Sequence, residues 1–293
     1  MEAVNSNIFC VLDACSVINL IHIDQDEFLL KKLKHLNIFV SDVVFKEIKF
    51  NIFNKLDKLK TKYSVDFDIR QERKIIDVKL SQIRGYQVLN EQIVKELGHD
   101  FFNHVKIISD YKKENGEFYS ACLALYLTRY HPTKIFFHTD DFPAKNEFDK
   151  FFNYQQIGHI EDTSDLLLLL YRLDEKFSLK QLEIALTDLF SEYVSEVVEL
   201  EKKLKYIESG LTLKFKGDKI FQQKFRALIH SLVVHNFLGI GELKDFFCNN
   251  KKYSQISDIL DFYPKVFELE SSKTDLLKKI SDLKKNIKHV YKL

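Results

Sequence analysis

The residues of this chain best suited to chemistry are carboxylates that close short apolar runs. Ile8-Phe-Cys-Val-Leu ends in Asp13, Ile38-Phe-Val-Ser in Asp42, and Lys134-Ile-Phe-Phe-His-Thr139 in Asp140 and Asp141. Two further acids stand in helix-like settings: Glu47 in Val40-Ser-Asp-Val-Val-Phe-Lys-Glu-Ile, and Glu117 in Asn115-Gly-Glu-Phe-Tyr-Ser-Ala. Oxygen donors of this kind suit magnesium or manganese, hard cations that keep several waters. Such an ion lowers the pKa of a bound water, aligns it and stabilises a leaving oxygen, which is the chemistry of phosphodiester hydrolysis. Gathered without a cation, the same acids would repel one another. Singly, each has a plainer reading. Asp13 reads as a cap or turn residue, Glu47 as a solvated helix charge, Gly116-Glu117 as an ordinary helix start, and Asp140-Asp141 as a turn before Pro143.

The elements that must position these acids are legible as an alternation. The three apolar runs read as buried strands, helical patterns separate them, and that alternation is the mark of a parallel α/β sheet. Ligands of open α/β sheets bind at the carboxyl ends of the strands, where these acids stand. Between the second and third runs, roughly residues 43 to 130, the pattern is helical. Ile48, Ile52, Leu56 and Leu59 recur at helical spacing, then Ile76, Leu80 and Ile83, with breaks expected at Gly98 and Gly116 and a further interruption at Gly85. A pair of long helices there would stand beside the sheet as a lid or clamp. Asp162 or Thr163 is expected to cap the helix of Leu166 to Leu170, and Ser178 the helix after it. Eight glycines and three prolines in 293 residues favour long uninterrupted helices.

Taken in order, Val11-Leu-Asp13-Ala-Cys-Ser16, the Val40 to Ile48 stretch, Asn115-Gly116-Glu117 and His138-Thr139-Asp140-Asp141 resemble the PIN-domain nuclease family. Carried over, the resemblance makes Asp13, Glu47, Glu117 and Asp141 the metal-binding acids and Asp140 an accessory acid. Ser16 or Cys15 falls at the family's small-residue position, and Thr139 matches the hydroxyl that orients the last acid. The stretch Ile157-Gly-His-Ile-Glu-Asp-Thr163 resembles the family's closing strand and helix. The resemblance covers roughly residues 7 to 190, with a helical insert at about 48–112 that is longer than usual. It implies Mg2+ or Mn2+ as cofactor, RNA as substrate, water as nucleophile, and 5′-phosphate and 3′-hydroxyl products. DNA is the alternative substrate, as in related flap-nuclease-like folds, and a catalytically silent scaffold is the alternative from another class. Stand-alone bacterial members resemble toxins or defence effectors, which implies control by an antitoxin or defence-system subunit, a homodimer, or both.

Residues 191–293 change character. Phe190, Tyr193, Val197, Leu200, Leu204 and Ile207 follow three-four spacing, as do Phe262, Val266, Leu269, Leu276, Ile280, Leu283, Ile287 and Val290. These are coiled-coil seams, expected to close as two antiparallel helices around a smaller helical knot from Leu211 to Cys248. Lysines cluster at Lys55 to Lys62, at Lys202 to Lys205 and from Lys273 to Lys292, each readable as a phosphate-facing patch or a solvated exterior. The 44 basic and 43 acidic residues nearly cancel, so any nucleic-acid grip must be local. Four dispersed cysteines form neither a zinc motif nor a disulfide framework and fit a reducing cytoplasm. The apolar run Ile8 to Ile23 lacks a basic leader and contains Asp13, and Leu166 to Leu170 is too short to span a bilayer, so no membrane role is expected. No phosphate-binding loop, nucleophile elbow or zincin motif occurs.

Overall fold

The computed structural model describes residues 8–24, 27–62, 69–131, 133–234, 236–237, 239–263 and 266–267. Each apolar run forms the expected strand: β1 (Phe9–Leu12), β2 (Asn37–Ser41) and β4 (Ile135–His138). β3 (Gln87–Val88) and β5 (Gly158–Glu161) complete a five-stranded sheet, parallel throughout, in the order β3-β2-β1-β4-β5. β3 corrects the all-helical reading of residues 43 to 130. Two residues are too few to show a strand period, and only pairing with Val40 and Ser41 reveals it.

Helices flank this sheet: α1 (Ala14–Ile23), α2 (Phe28–Lys32), α3 (Asp42–Lys62), α4 (Ile69–Arg84), α5 (Asn90–Leu97), α6 (Phe101–Ser109), α7 (Gly116–Tyr130), α8 (Phe142–Gln155) and α9 (Thr163–Leu173). α7 is buried on nearly every side from Phe118 to Leu127, as an apolar helix without a polar face must be. α3 packs on α1, α4 and α7, and Ile48, Ile52, Leu56, Ile76, Leu80 and Ile83 are buried. The long pair is therefore a wall of the core rather than a lid. The side chain of Leu59 lies outside the described residues. Gly85 follows the last residue of α4, Gly98 ends α5 in a positive-φ conformation, and Gly116 opens α7 instead of breaking a helix.

One buried cation braces the helix that follows β1. Lys79 of α4 donates its ammonium to the carbonyls of Ile21 and Asp24, capping the carboxyl end of α1. Asp24 in turn accepts the backbone N–H groups of Leu29 and Leu30 at the start of α2.

The chain divides into two compact units between Ala185 and Leu186. The dividing point falls inside α10 (Leu179–Lys214), which Ser178 caps as expected, with Gln181 returning a bond to the Ser178 N–H. The second unit adds α11 (Lys219–Val233), α12 (Ile240–Cys248) and α13 (Ser254–Leu260). Val197, Leu200 and Leu204 of the expected seam share one apolar cluster with Phe221, Phe225, Leu228, Phe247 and Ile256. The side chains of Phe190 and Tyr193, and the second seam from Leu269 to Val290, lie outside the described residues. So do the lysines from Lys273 to Lys292. Among the described residues no helix is long and apolar enough to cross a membrane.

Gly158 opens β5 directly opposite Ile135 of β4. A Cβ there would stand 2.0 Å from the Ile135 carbonyl oxygen and 2.6 Å from its nitrogen, and the backbone φ is +153°. Gly158→Ala is expected to cost about 3 kcal/mol or more, read as a lowered midpoint in denaturant.

Candidate functional site

The strand order reverses beside β1: the chain moves outward through β2 and β3, then returns to place β4 on the other side of β1. A crevice at such a switch point is the natural binding place of an open parallel sheet. Asp13 leaves the end of β1 and Thr139, Asp140 and Asp141 leave the end of β4, so these residues flank that crevice. The Asp13 N–H donates to the His138 carbonyl at 3.0 Å, locking the two strand ends together.

Asp13 is 1% exposed. Its backbone is extended at the N-cap of α1, yet its carboxylate makes no capping bond. The carboxylate is held from the side instead. Oδ2 accepts from the Thr139 hydroxyl at 3.0 Å and from the Cys15 thiol at 3.3 Å, while Oδ1 is buried without a hydrogen-bond partner among the described residues. Thr139 Oγ1 also accepts the Asp141 N–H at 3.1 Å, so one hydroxyl couples both strand-end acids. Cys15, rather than Ser16, meets the acids. Its sulfur lies 3.2 Å from Thr139 Oγ1 and accepts the Asp140 N–H at 3.1 Å, whereas Ser16 is buried with its hydroxyl unpartnered.

Glu47 reaches the same region from α3. Its Oε1 accepts the Gly116 N–H at 2.9 Å, and a Cβ on Gly116 would fall 2.2 Å from its Oε2. Glycine is required at 116 because the carboxylate lies on its backbone. Asn115 caps α7 by accepting the Phe118 N–H, and this fixes Glu117 in the first turn, with Oε2 buried and without a hydrogen-bond partner among the described residues. Tyr111, buried against Phe118 and Phe148, hydrogen-bonds the Asn115 side chain and lies in the field of Glu117 and Asp141.

The two acids after Thr139 have different tasks. Asp141 caps α8 through Oδ1 and the Ala144 N–H at 3.1 Å. Asp140 is a strut: Oδ2 accepts from Asn19 at 2.7 Å and from the Thr163 hydroxyl, and Oδ1 accepts the Thr163 N–H at 2.9 Å. It ties α1 to the start of α9. Asp162 caps α9, with its N–H received by Asp165.

Electrostatics draws four of the acids into one group. Burial pushes the Glu117 pKa up to about 7, and the charges of Asp13, Asp141 and Glu47 add to the shift. Asp13 is pushed up to about 6, chiefly by burial and further by Glu47, against hydrogen bonds from Ala14, Cys15 and Thr139. Glu47 is raised by burial and pulled back by the Gly116 N–H. Among the described residues no ammonium or guanidinium pairs with Asp13, Glu47 or Glu117. Among the described residues no group of three or more His, Cys, Asp or Glu side chains stands arranged to hold a metal ion. The chemistry of the donors nonetheless fits a hard cation, since Asp13 Oδ1 and Glu117 Oε2 are buried acceptors with no hydrogen-bond partner among the described residues.

Comparison with known proteins adds no neighbour: no family model, curated protein or solved structure matches the chain.

Of the residues singled out from sequence, Asp13, Glu47 and Asp141 all act on the charge of Glu117, Thr139 joins Asp13 to the Asp141 backbone, Asp140 serves as a strut and Ser16 is buried. Asn19 and Tyr111 carry no sequence signal, and Asn115, part of the stretch that holds Glu117, is assigned no role by the sequence. Only Asn115 left a trace, a capping residue directly before a Gly-Glu pair.

Two outcomes follow from this geometry. Asp13 and Glu117 keep their protons when folded at pH values where the unfolded chain, with ordinary values of 3.8 and 4.5, has lost them. Without divalent metal, stability should therefore fall as pH rises from about 4 to about 7. Melting in chelator across that range is the check. Added Mn2+ should raise the midpoint more at the alkaline end, and Asp13→Asn should flatten both trends. Gly116→Ala should leave the fold intact, because the obstacle is the mobile end of Glu47, but it should expel that carboxylate and weaken the Mn2+ response about tenfold or more.

Proposed function

We propose that the chain is a metal-dependent endoribonuclease of the PIN type, with Asp13, Glu47, Glu117 and Asp141 holding Mg2+ or Mn2+. The observation that carries this reading is a pair of buried, unpaired carboxylates, Asp13 and Glu117, beside the switch point of a parallel sheet and within the field of two more acids. A purely structural role does not account for them, since burial of acids without a cationic partner destabilises a fold. The order and attachment of the four acids support the family assignment, and the strand-end position of two of them supports the site.

Bound at this place, a divalent ion would supply an activated water and charge stabilisation for phosphodiester hydrolysis. The chain does the rest. Thr139 and Cys15 fix the orientation of Asp13, Gly116 leaves room for Glu47, and Asn115 with Tyr111 sets the approach of Glu117. Asp140 supports the assembly through Asn19 and Thr163. Within this reading the chain acts as a toxin or defence effector whose cutting is restrained by a partner protein, in keeping with the habit of the family it resembles.

Cleavage of a mixed cellular RNA pool with added Mn2+ tests the proposal. Thr139→Val, which removes the hydroxyl on Asp13, is expected to lose about 10- to 100-fold in rate, and Asp13→Asn at least as much. Cleavage of a matched DNA oligonucleotide in place of RNA would move the activity to the DNA reading. A chain that neither binds Mn2+ nor cuts is a scaffold, and the proposal fails.

A further inference from the structure

The acid cluster creates a difficulty for its own substrate. Carboxylates repel a phosphate backbone, and the whole chain carries a formal charge of only +1. Affinity for a polyanion has to come from a local excess of cations. One exists in the second unit, at the corner where α10 turns into α11.

Leu213–Ile220 and Asn249–Tyr253 together carry five lysines and a single acid, Asp218. The two segments meet at that acid. Asp218 Oδ2 accepts from the Lys252 ammonium at 2.6 Å and from the Tyr253 hydroxyl at 2.8 Å, and Oδ1 accepts the Phe221 N–H at 3.0 Å. Asp218, the single acid of these two segments, is thus committed to holding them together. Lys214, Lys216, Lys219 and Lys251 are exposed and have no carboxylate partner among the described residues. Beneath them, Phe215 and Tyr253 are buried, with Lys214 and Lys252 over the Phe215 ring at 5.4 and 5.7 Å. The rings stiffen the corner but are too deep to stack on bases. Around the turn, Gly217 has open space on its Cβ side, and Asn249 and Asn250 are exposed donors.

We propose that this lysine corner of α10, α11 and the Asn249–Tyr253 segment is an RNA-backbone grip, binding phosphates without reading sequence. It rests on the reading of the chain as a ribonuclease and adds to that reading the place where a substrate-binding charge resides. Cations at such a corner displace the counterions of the nucleic acid, and their number sets the salt dependence of binding.

The test is binding of a short, labelled single-stranded RNA to the full chain in chelator, where nothing is cut, over a series of salt concentrations. Replacing Lys214, Lys216, Lys219 and Lys251 by glutamine should weaken binding about tenfold or more at low salt. It should also make the slope of log K against log salt shallower by about 0.7 for each lysine that had met a phosphate. Lys252 is left in place because it holds Asp218, and an unchanged melting midpoint verifies the fold. Lys202→Gln with Lys203→Gln, elsewhere on α10, should leave the slope unaltered. An unaltered slope in the fourfold variant overturns the proposal, as does an equal loss in the control pair. Loss of binding to anionic lipid vesicles with RNA binding retained also overturns it, and assigns the corner to a membrane surface. Cleavage is read separately: a chain that cuts RNA but grips it elsewhere loses only this inference, and one that grips RNA through the corner but never cuts loses only the nuclease reading.

Discussion

Carboxylates resist both burial and one another, and this chain keeps three of them wholly or partly buried within reach of a fourth. Much of the first unit can be understood as the means of holding that arrangement. Strand pairing delivers Asp13 and Asp141 to neighbouring ends of β1 and β4. A central helix, α7, buried on nearly all sides, carries Glu117 in its first turn, and α3 places Glu47 against its first residue. The hydrogen bonds that fix these groups come from small neutral donors: a hydroxyl, a thiol and a backbone amide. Neutral donors hold an acid in place while leaving its charge uncancelled, and an uncancelled buried charge is what a cation can recognise.

The same constraint explains what could be seen in the sequence and what could not. The strands β1, β2 and β4 were legible because burial on both faces makes a parallel strand a continuous apolar run, and the acids were legible because each closes such a run or opens a helix. β3 was hidden, since its two residues belong to the sheet only through their partners. The roles of Asp140 and Asp141 could not be separated by spacing. Their side chains leave one strand end in different directions, and only the positions of Asn19, Thr163 and Ala144 decide that one becomes a strut and the other a cap. Cys15 and Ser16 were likewise interchangeable in one dimension. The turn of α1 sends one to the acids and the other into the core.

The second unit shows the opposite balance. Its seam of Val197, Leu200 and Leu204 was visible as periodicity, yet three-four spacing does not say what covers a helix. Here the cover includes α11, α12 and α13, with aromatic rings at Phe221, Phe225 and Phe247. Lys79 was equally silent in sequence. A lysine within an amphipathic helix reads as solvent-facing, and only the open carbonyls at the end of α1 give its charge a reason to be buried.

The contact between Glu47 and Gly116 has a consequence for descent. The glycine is there because a carboxylate from another helix, 69 residues earlier in the chain, occupies the space of its missing side chain. Any descendant that gave up that acid for a short residue would lift the most severe restriction on position 116, and alanine could settle there with a small shift of Val44, favoured by its greater helix propensity. The two positions should therefore drift together, and a glycine retained at the head of α7 would mark a lineage still guarding its acid.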